Sequence, residues 1–286
     1  RPNRAKEEFN LTRQAREKSG GIKEPFYDYG IIVCAMRLFA PGMSQYYEAI
    51  LAVHPYLEYE RVASLASETL VRAAKECRDT LGLPVVAVDI AGCEAGYKAS
   101  IHREAFDLAH GYFFNKTVHA GEAYGPESIF QAVRDLHAER IGHGYHLFSK
   151  HMVVGEQNAL DADTYIRRLT KYICDRRINL EVCLTSNLGT MPGLQLKDHA
   201  FGRMLSDGVS VSINTDNRLM SRTTTVAELR KAVDTFNISP HDLKGIVLNG
   251  FKKSFYHGSY FDRREYVRSA SAYYDAIAKK HNISEY

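Results

Sequence analysis

The sequence contains no apolar run close to the roughly 18 residues that a membrane-spanning helix needs, and its start lacks a signal-peptide pattern. Its five cysteines are odd in number, and no two of them form a C-x-x-C pair. Cys34 and Cys183 lie inside apolar runs, which is typical of small core residues in a reducing compartment. These absences argue against a membrane protein and a disulfide-rich secreted domain, so we expect the cytoplasm.

The sequence also has little excess of positive over negative charge. The 37 Lys and Arg residues against 34 Asp and Glu residues leave a formal net charge of only +3. Residues 1–18 are locally basic, but glutamates are interleaved, which indicates a solvated helix face rather than an arm that binds an acidic polymer. We therefore expect no nucleic-acid partner.

Short apolar runs rich in Val and Ile alternate along the chain with longer amphipathic stretches. The nearly continuous apolarity of these runs is typical of strands buried on both faces of a parallel sheet. The predicted strands cover residues 30–37, 85–92, 116–122, 140–146, 180–187 and 209–217. Predicted helices cover residues 127–139, 161–177, 199–205 and 225–236.

The longest gap between predicted strands, residues 44–80, is broken by Pro55, so we expect two helices there. Ser239 before Pro240 is typical of an N-cap followed by proline at the first helical position. Two C-terminal helices should follow, the first to about residue 255 and the second from 261 to about 280. No Ser/Gly linker divides the chain, so residues 1–286 are predicted to form one domain.

Alternation of strands and helices at this spacing predicts an α/β fold whose parallel sheet has right-handed crossovers. The candidates are an open doubly wound sheet and a closed (β/α)8 TIM barrel. An open sheet that binds a nucleotide favours a glycine-rich loop after its first strand, and no G-x-G-x-x-G occurs here. Polar residues at the ends of nearly all the strands favour the barrel. Since the barrel needs eight strands and six are found, we expect that its first two βα units are absent from this sequence.

Polar side chains follow three of the predicted strands. V-H-A-G-E places His119 and Glu122 at one strand end, I-G-H-G-Y places His143 at the next, and N-T-D-N places Asp216 at the last. Singly, either histidine could be a core residue, Glu122 a helix-start carboxylate and Asp216 a helix cap or turn residue. Together, two imidazoles and two carboxylates on one barrel rim favour metal-assisted hydrolysis.

The order of the motifs is recognisable. V-H-A-G-E (118–122), I-G-H-G-Y (141–145), C-x-T-S-N (183–187) and N-T-D-N-R-L-M-S (214–221) together resemble the metal-dependent adenosine deaminase family, in a form similar to its bacterial members. V-D-I-A-G (88–92) and C-A-M-R (34–37) are similar to that family as well. The resemblance implies a metal-dependent hydrolase barrel that converts adenosine or 2′-deoxyadenosine to inosine or 2′-deoxyinosine and ammonia.

The resemblance also implies separate roles for the strand-end residues. His119 and Asp216 would bind one zinc ion per subunit. Glu122 would protonate N1 of the purine as hydroxide adds to C6, and His143 would orient the metal-bound water and help to take its proton.

Three further residues carry roles that the resemblance implies. The backbone of Gly92 would contact the purine, and Asp89 on the same strand would support a zinc ligand. Asn217 stands where some relatives have a second aspartate. An amide can still donate a hydrogen bond to purine N7, so adenosine remains compatible with it.

One departure affects the metal. The family has an H-x-H pair on its first strand that supplies two more zinc ligands, and no H-x-H occurs in this sequence. His119 and Asp216 alone are too few for a tight zinc site, so the chain as given is expected to hold zinc poorly. The alternatives left open are a deaminase of adenine or of a modified adenosine such as aminodeoxyfutalosine, and a non-catalytic barrel that binds a nucleoside or a partner.

Overall fold

The computed structural model describes residues 2–38, 42–154 and 161–283. The strands are β1 (Ile31–Met36), β2 (Val85–Ala91), β3 (Asn115–Ala120), β4 (Arg140–His143), β5 (Asn179–Val182) and β6 (Val211–Ile213). The helices are α1 (Pro2–Lys18), α2 (Gln45–Val53), α3 (Tyr59–Asp79), α4 (Arg103–Gly111), α5 (Pro126–Asp135), α6 (Ala162–Arg176), α7 (Leu184–Thr190), α8 (Phe201–Ser206), α9 (Arg218–Ser221), α10 (Thr225–Phe236), α11 (Pro240–Lys252) and α12 (Tyr260–Lys280). Short 3₁₀ turns lie at Ala99–His102, Tyr145–Phe148, Lys150–Met152 and Leu196–Asp198.

The six strands form one parallel sheet in which each strand pairs with the next one along the chain. Helices connect the successive strands, so the predicted α/β fold with (β/α) barrel topology is confirmed. Parallel pairing brings the carboxyl ends of all six strands to one edge of the sheet. Candidate site residues are therefore collected at that edge.

The core is built from the apolar runs that predicted the strands. Val88, Ile90, Val118, Ile141 and Leu180 are each 0% exposed, as expected for strands covered on both faces. Helices contribute the other side of this core through a second set of fully buried residues, which comprises Val71, Phe106, Ile129, Ile173, Phe201 and Ala232. Burial on both faces gives the rim residues a rigid base.

Most helix predictions are confirmed. The segment around Pro55 separates α2 from α3, and α10 has the predicted bounds. Ser239 caps α11 by accepting a hydrogen bond from the Asp242 N–H at 3.1 Å, with Pro240 in the first helical turn. Within the described ranges, no helix has the length and apolarity needed to cross a membrane.

The prediction that residues 180–187 form one strand is wrong after Val182. α7 begins at Leu184, and its first turn is held by the buried Glu228 of α10. The Glu228 carboxylate accepts the backbone N–H of Thr185 at 3.0 Å and also the Thr185 hydroxyl. A carboxylate that satisfies free N–H groups stabilises a helix start, and this distant partner is invisible in the local sequence.

Candidate active site

The ends of β3 and β4 place two histidines side by side. In the parallel register His119 lies opposite Gly142, and Ala120 lies opposite His143. The centroids of the two imidazole rings are 5.2 Å apart, and the rings meet edge to face. The residues that the motifs predicted for separate strand ends therefore share one cleft.

His119 is oriented by Asp89 of β2. Its Nδ1 lies 3.0 Å from Asp89 Oδ2, and Asp89 Oδ1 accepts the Ile90 backbone N–H at 2.7 Å. Burial disfavours the imidazolium, but the hydrogen bond and charge of Asp89 outweigh burial and raise the pKa of His119 to about 9. A carboxylate on one ring nitrogen is the usual support of a metal-binding histidine, and it leaves Nε2 for the metal.

The close approach of β4 to His119 requires glycine at position 142. A Cβ at Gly142 would lie 3.1 Å from the Cα, Cγ and Nδ1 atoms of His119. We expect Gly142→Ala to displace the ring from Asp89 and to lower the free energy of unfolding by about 1–3 kcal/mol. Urea denaturation measures this loss.

A matched control is Gly189→Ala on α7. A Cβ there meets no atom within 4 Å, so alanine should leave stability unchanged or raise it by up to about 1 kcal/mol. Equal stability of the Gly142→Ala and Gly189→Ala chains would contradict the packing argument.

Glu122 lies on a turn that a second glutamate organises. The buried carboxylate of Glu94 accepts the four consecutive backbone N–H groups of residues 121–124 at 2.7–3.0 Å. It also accepts the Ser128 hydroxyl at the start of α5. The strand-end motifs do not predict Glu94, although it too is a carboxylate just beyond a strand end. It holds the turn that presents Glu122.

The environment of Glu122 favours its protonated form. Burial is the main cause that raises its pKa, with His119 opposing this and the charge of Asp216 adding to it. Glu122 Oε2 lies 3.7 Å from Nε2 of His143. A carboxyl group whose pKa is raised in a cleft is suited to act as a general acid.

His143 and Asp216 share an unusual backbone conformation. Their φ angles are +65° and +53°, in the left-handed region that residues other than glycine rarely adopt. Such strain is typical of positions where the surrounding structure imposes one side-chain direction. Burial, followed by the charge of His119, lowers the pKa of His143 to about 4, so its ring is neutral at pH 7.

Asp216 lies beyond β6, and its carboxylate accepts the Ser186 hydroxyl of α7 at 2.6 Å. The alternative that Asp216 caps a helix is wrong, because the cap of α9 is Asn217. Asn217 Oδ1 accepts the Leu219 and Met220 N–H groups at 3.1 and 3.2 Å. This arrangement uses the amide oxygen of Asn217 and leaves its NH2 group as a donor.

The remaining predicted residue, Gly92, follows β2 at the same edge of the sheet and is exposed. Its φ angle is +97°, and a Cβ there would meet Met36 Cε at 3.3 Å. The structure thus brings Asp89, His119, Glu122, His143 and Asp216 into electrostatic contact. Gly92 and Asn217 lie at the outer rim.

The donors present fit part of a zinc site. His119 offers an imidazole nitrogen and Asp216 a carboxylate oxygen, which are both common zinc ligands. Across residues 2–38, 42–154 and 161–283, no group of three or more His, Cys, Asp or Glu side chains could hold a metal ion. A catalytic zinc usually has three protein ligands, so the described set is incomplete for tight binding.

The sequence model of the family described as adenosine deaminase matches residues 56–269. The chain is 38% identical to adenosine deaminase of Mycobacterium ulcerans over 171 residues, which is 60% of this chain and 46% of that protein. It is 34% identical to adenosine deaminase of Mycobacterium sp. strain JLS over 229 residues, which is 75% of this chain and 61% of that protein. It therefore spans about half to three fifths of these relatives.

Solved structures show the same fold. A zinc-bound cog1816 amidohydrolase from Burkholderia ambifaria superposes with a TM-score of 0.68 at 19% identity, covering 94% of this chain and 61% of that one. Adenine deaminase from Arthrobacter aurescens superposes with a TM-score of 0.62 at 17% identity, covering 91% and 64%. At such identities the likeness supports the barrel architecture alone.

Proposed function

The chain belongs to the adenosine deaminase family, and from that premise we propose that the whole protein hydrolyses the C6 amino group of adenosine or 2′-deoxyadenosine. The products are inosine or 2′-deoxyinosine and ammonia. The observation that carries the proposal is the pair formed by Glu122 and His143, with Oε2 and Nε2 3.7 Å apart at the strand ends beside His119. A carboxyl group whose pKa is raised by burial, next to a neutral imidazole, suits addition of water to a purine ring.

Each site residue has a separate role in the proposed reaction. His119 and Asp216 would hold zinc together with ligands from outside the described set, and zinc when bound supplies the Lewis acidity that activates water. Glu122 gives its proton to N1 of the purine. His143 orients the attacking water toward C6. The Gly92 backbone and the Asn217 NH2 group hold the purine edge, and Asp89 keeps His119 in place.

Turnover of three substrates tests the proposal. The whole protein is assayed for ammonia release from adenosine, adenine and an adenosine extended at its 5′ carbon. We expect the highest kcat/KM with adenosine or its 2′-deoxy form. A preference for adenine or the extended nucleoside would favour a related deaminase instead, and equal rates on all three would rule out nucleoside specificity.

A non-catalytic barrel is the second candidate, favoured by the incomplete metal set among the described residues. Metal analysis of the purified whole protein separates the two. We expect close to one zinc ion per subunit. A whole protein without a divalent metal ion and without ammonia release would make a nucleoside-binding or partner-binding role the better proposal.

The proposed compartment is the cytoplasm. All five cysteines are free thiols in the structure, which supports a reducing environment. The formal net charge of +3 supports a small-molecule substrate rather than a nucleic acid.

A further inference from the structure

A row of buried hydrogen bonds runs from the start of α8 to His143. Phe201 N–H donates to Nδ1 of His199 at 3.0 Å, and Nε2 of His199 lies 3.1 Å from Oδ1 of Asn187. Nδ2 of Asn187 lies 3.2 Å from Nδ1 of His143. Phe201 and Asn187 are 0% exposed, and the two histidines are 2–3% exposed, so water does not compete for these contacts.

The direction of the first bond is fixed by the backbone. An N–H in the first turn of a helix has no carbonyl partner within the helix and can only donate. Nδ1 of His199 must therefore carry a lone pair, and its single ring proton is on Nε2. Burial, followed by the charge of His143, lowers the pKa of His199 to about 4, which keeps this ring neutral at pH 7.

The amide of Asn187 links the donor on His199 to His143, so the donor and acceptor of the next two hydrogen bonds are fixed as well. Since His199 Nε2–H donates, the Asn187 atom facing it is the carbonyl oxygen. The other end of the amide, which faces His143, is then the NH2 group, and this group can only donate. Nδ1 of His143 must accept, which leaves the proton of its neutral ring on Nε2.

We propose that Asn187 and His199 are positioning residues that hold His143 as the Nε2–H tautomer, so that its ring presents a hydrogen-bond donor to the cleft. The tautomer follows from the described contacts, whereas its consequence for catalysis rests on the proposed function. A ring with a proton already on Nε2 orients the attacking water by donating to its oxygen. It does not take the proton of that water, which differs from the role that the family resemblance implied for His143.

The tautomer is measured directly by two-bond ¹H–¹⁵N correlation spectra of the metal-free chain labelled with ¹⁵N-histidine at pH 7. The His143 signals are assigned from their loss in His143→Gln. We expect a protonated Nε2 and a lone-pair Nδ1 in the unaltered chain. A protonated Nδ1 would overturn the proposal without recourse to any variant.

Asn187→Asp replaces the hydrogen-bond donor that faces His143 with an acceptor and keeps the side-chain shape. A carboxylate can only accept, so Nδ1 of His143 should become protonated, and its nitrogen shift should move from that of a lone-pair nitrogen to that of a protonated one. Asn237→Asp, at the exposed end of α10, is the matched control and should leave His143 unchanged. A His143 tautomer that stays the same in Asn187→Asp would contradict the assigned direction.

The conservative replacement of His199 supplies a rescue test. His199→Gln retains a donor for Asn187 and should preserve the Nε2–H tautomer, whereas His199→Leu removes it and should give a mixture. In the whole protein, Asn187→Asp should lower kcat by at least about 10²-fold with little change in KM. An Nε2–H tautomer in a protein that releases no ammonia would refute the proposed function and leave the positioning role intact.

Discussion

Glu122→Gln should lower kcat of the whole protein for adenosine by about 10²- to 10⁴-fold, the range expected when a general acid is removed. Glutamine has the same shape and can still donate a hydrogen bond from its amide. It cannot release a proton to N1 of the purine, so binding should survive while the chemical step is lost. Steady-state ammonia release gives kcat and KM separately.

The same substitution should not weaken the fold. Burial raises the pKa of Glu122 above its value in the unfolded chain. Ionisation of Glu122 therefore costs stability as the pH rises above about 4.5, the ordinary value for glutamate. Glutamine removes that cost, so the variant should be as stable as the parent at pH 7 or more stable.

The control for Glu122→Gln is Glu104→Gln on α4. Glu104 is exposed, and its ion pair with Arg61 at 2.9 Å is of a kind that contributes about 0–1 kcal/mol. Glu104→Gln should leave both kcat and stability close to the parent values. Near-parental activity of Glu122→Gln would exclude Glu122 as the proton donor.

The strand-end residues could be predicted because they depend on local pattern. V-H-A-G-E and I-G-H-G-Y each place a polar residue directly after an apolar run, and parallel strands bring such ends together. Glu94 could not be found in this way, since its partners are backbone N–H groups of a turn about thirty residues later. The local sequence around Glu94 does not identify these N–H groups as its partners.

Asn187 and His199 show a second limit of the sequence. The polar end of C-x-T-S-N predicted a strand terminus, whereas the structure buries Asn187 inside α7. That helix depends on Glu228, and the contact between Asn187 and His199 depends on the start of α8. Both are set by tertiary packing, which explains why family-like motifs gave the residues of the cleft but not the network behind His143.

Acid should unfold the metal-free chain between pH 6.5 and about 4, because buried histidines, among them His102 and His199, must remain neutral in the fold. Burial is the main cause that lowers the pKa of both His102 and His199 to about 4, with the charge of Arg37 adding at His102 and that of His143 at His199. The Ser67 hydroxyl donates to the Ala63 carbonyl at 3.0 Å, so Nδ1–H of His102 donates to Ser67 Oγ at 2.6 Å. The buried Nε2 of His102 has no partner among the described residues. A proton there would place an unpaired charge in the core.

The direction in which stability changes with pH follows from proton linkage. The ordinary histidine value of 6.5 applies to the unfolded chain, so between pH 6.5 and 4 the unfolded chain binds more protons than the fold. The contribution of His102 and His199 to stability is fully present above pH 6.5 and is lost as the pH falls through about 4. Each histidine should cost about 3 kcal/mol below pH 4. Together His102 and His199 remove about 6 kcal/mol, which is comparable with the whole stability of a domain.

Above pH 6.5 the raised pKa of His119 has the opposite effect on stability. The pKa of His119 is raised to about 9, so its pairing with Asp89 stabilises the fold fully below pH 6.5 and is lost as the pH rises through 9. The metal-free chain should therefore be most stable near pH 6.5. Urea denaturation at a series of pH values traces both sides of this maximum.

His102→Gln isolates the acid effect. Glutamine can still bond Ser67 but does not titrate, so the fall in stability from pH 6.5 to 4 should shrink by about 3 kcal/mol. Any packing loss shifts the whole curve and leaves this slope unaffected, so the slope is the quantity to compare. His241→Gln on the exposed side of α11 should keep the parental slope. A parental chain whose stability stays level from pH 6.5 to 4 would show that neither His102 nor His199 is kept neutral by the fold.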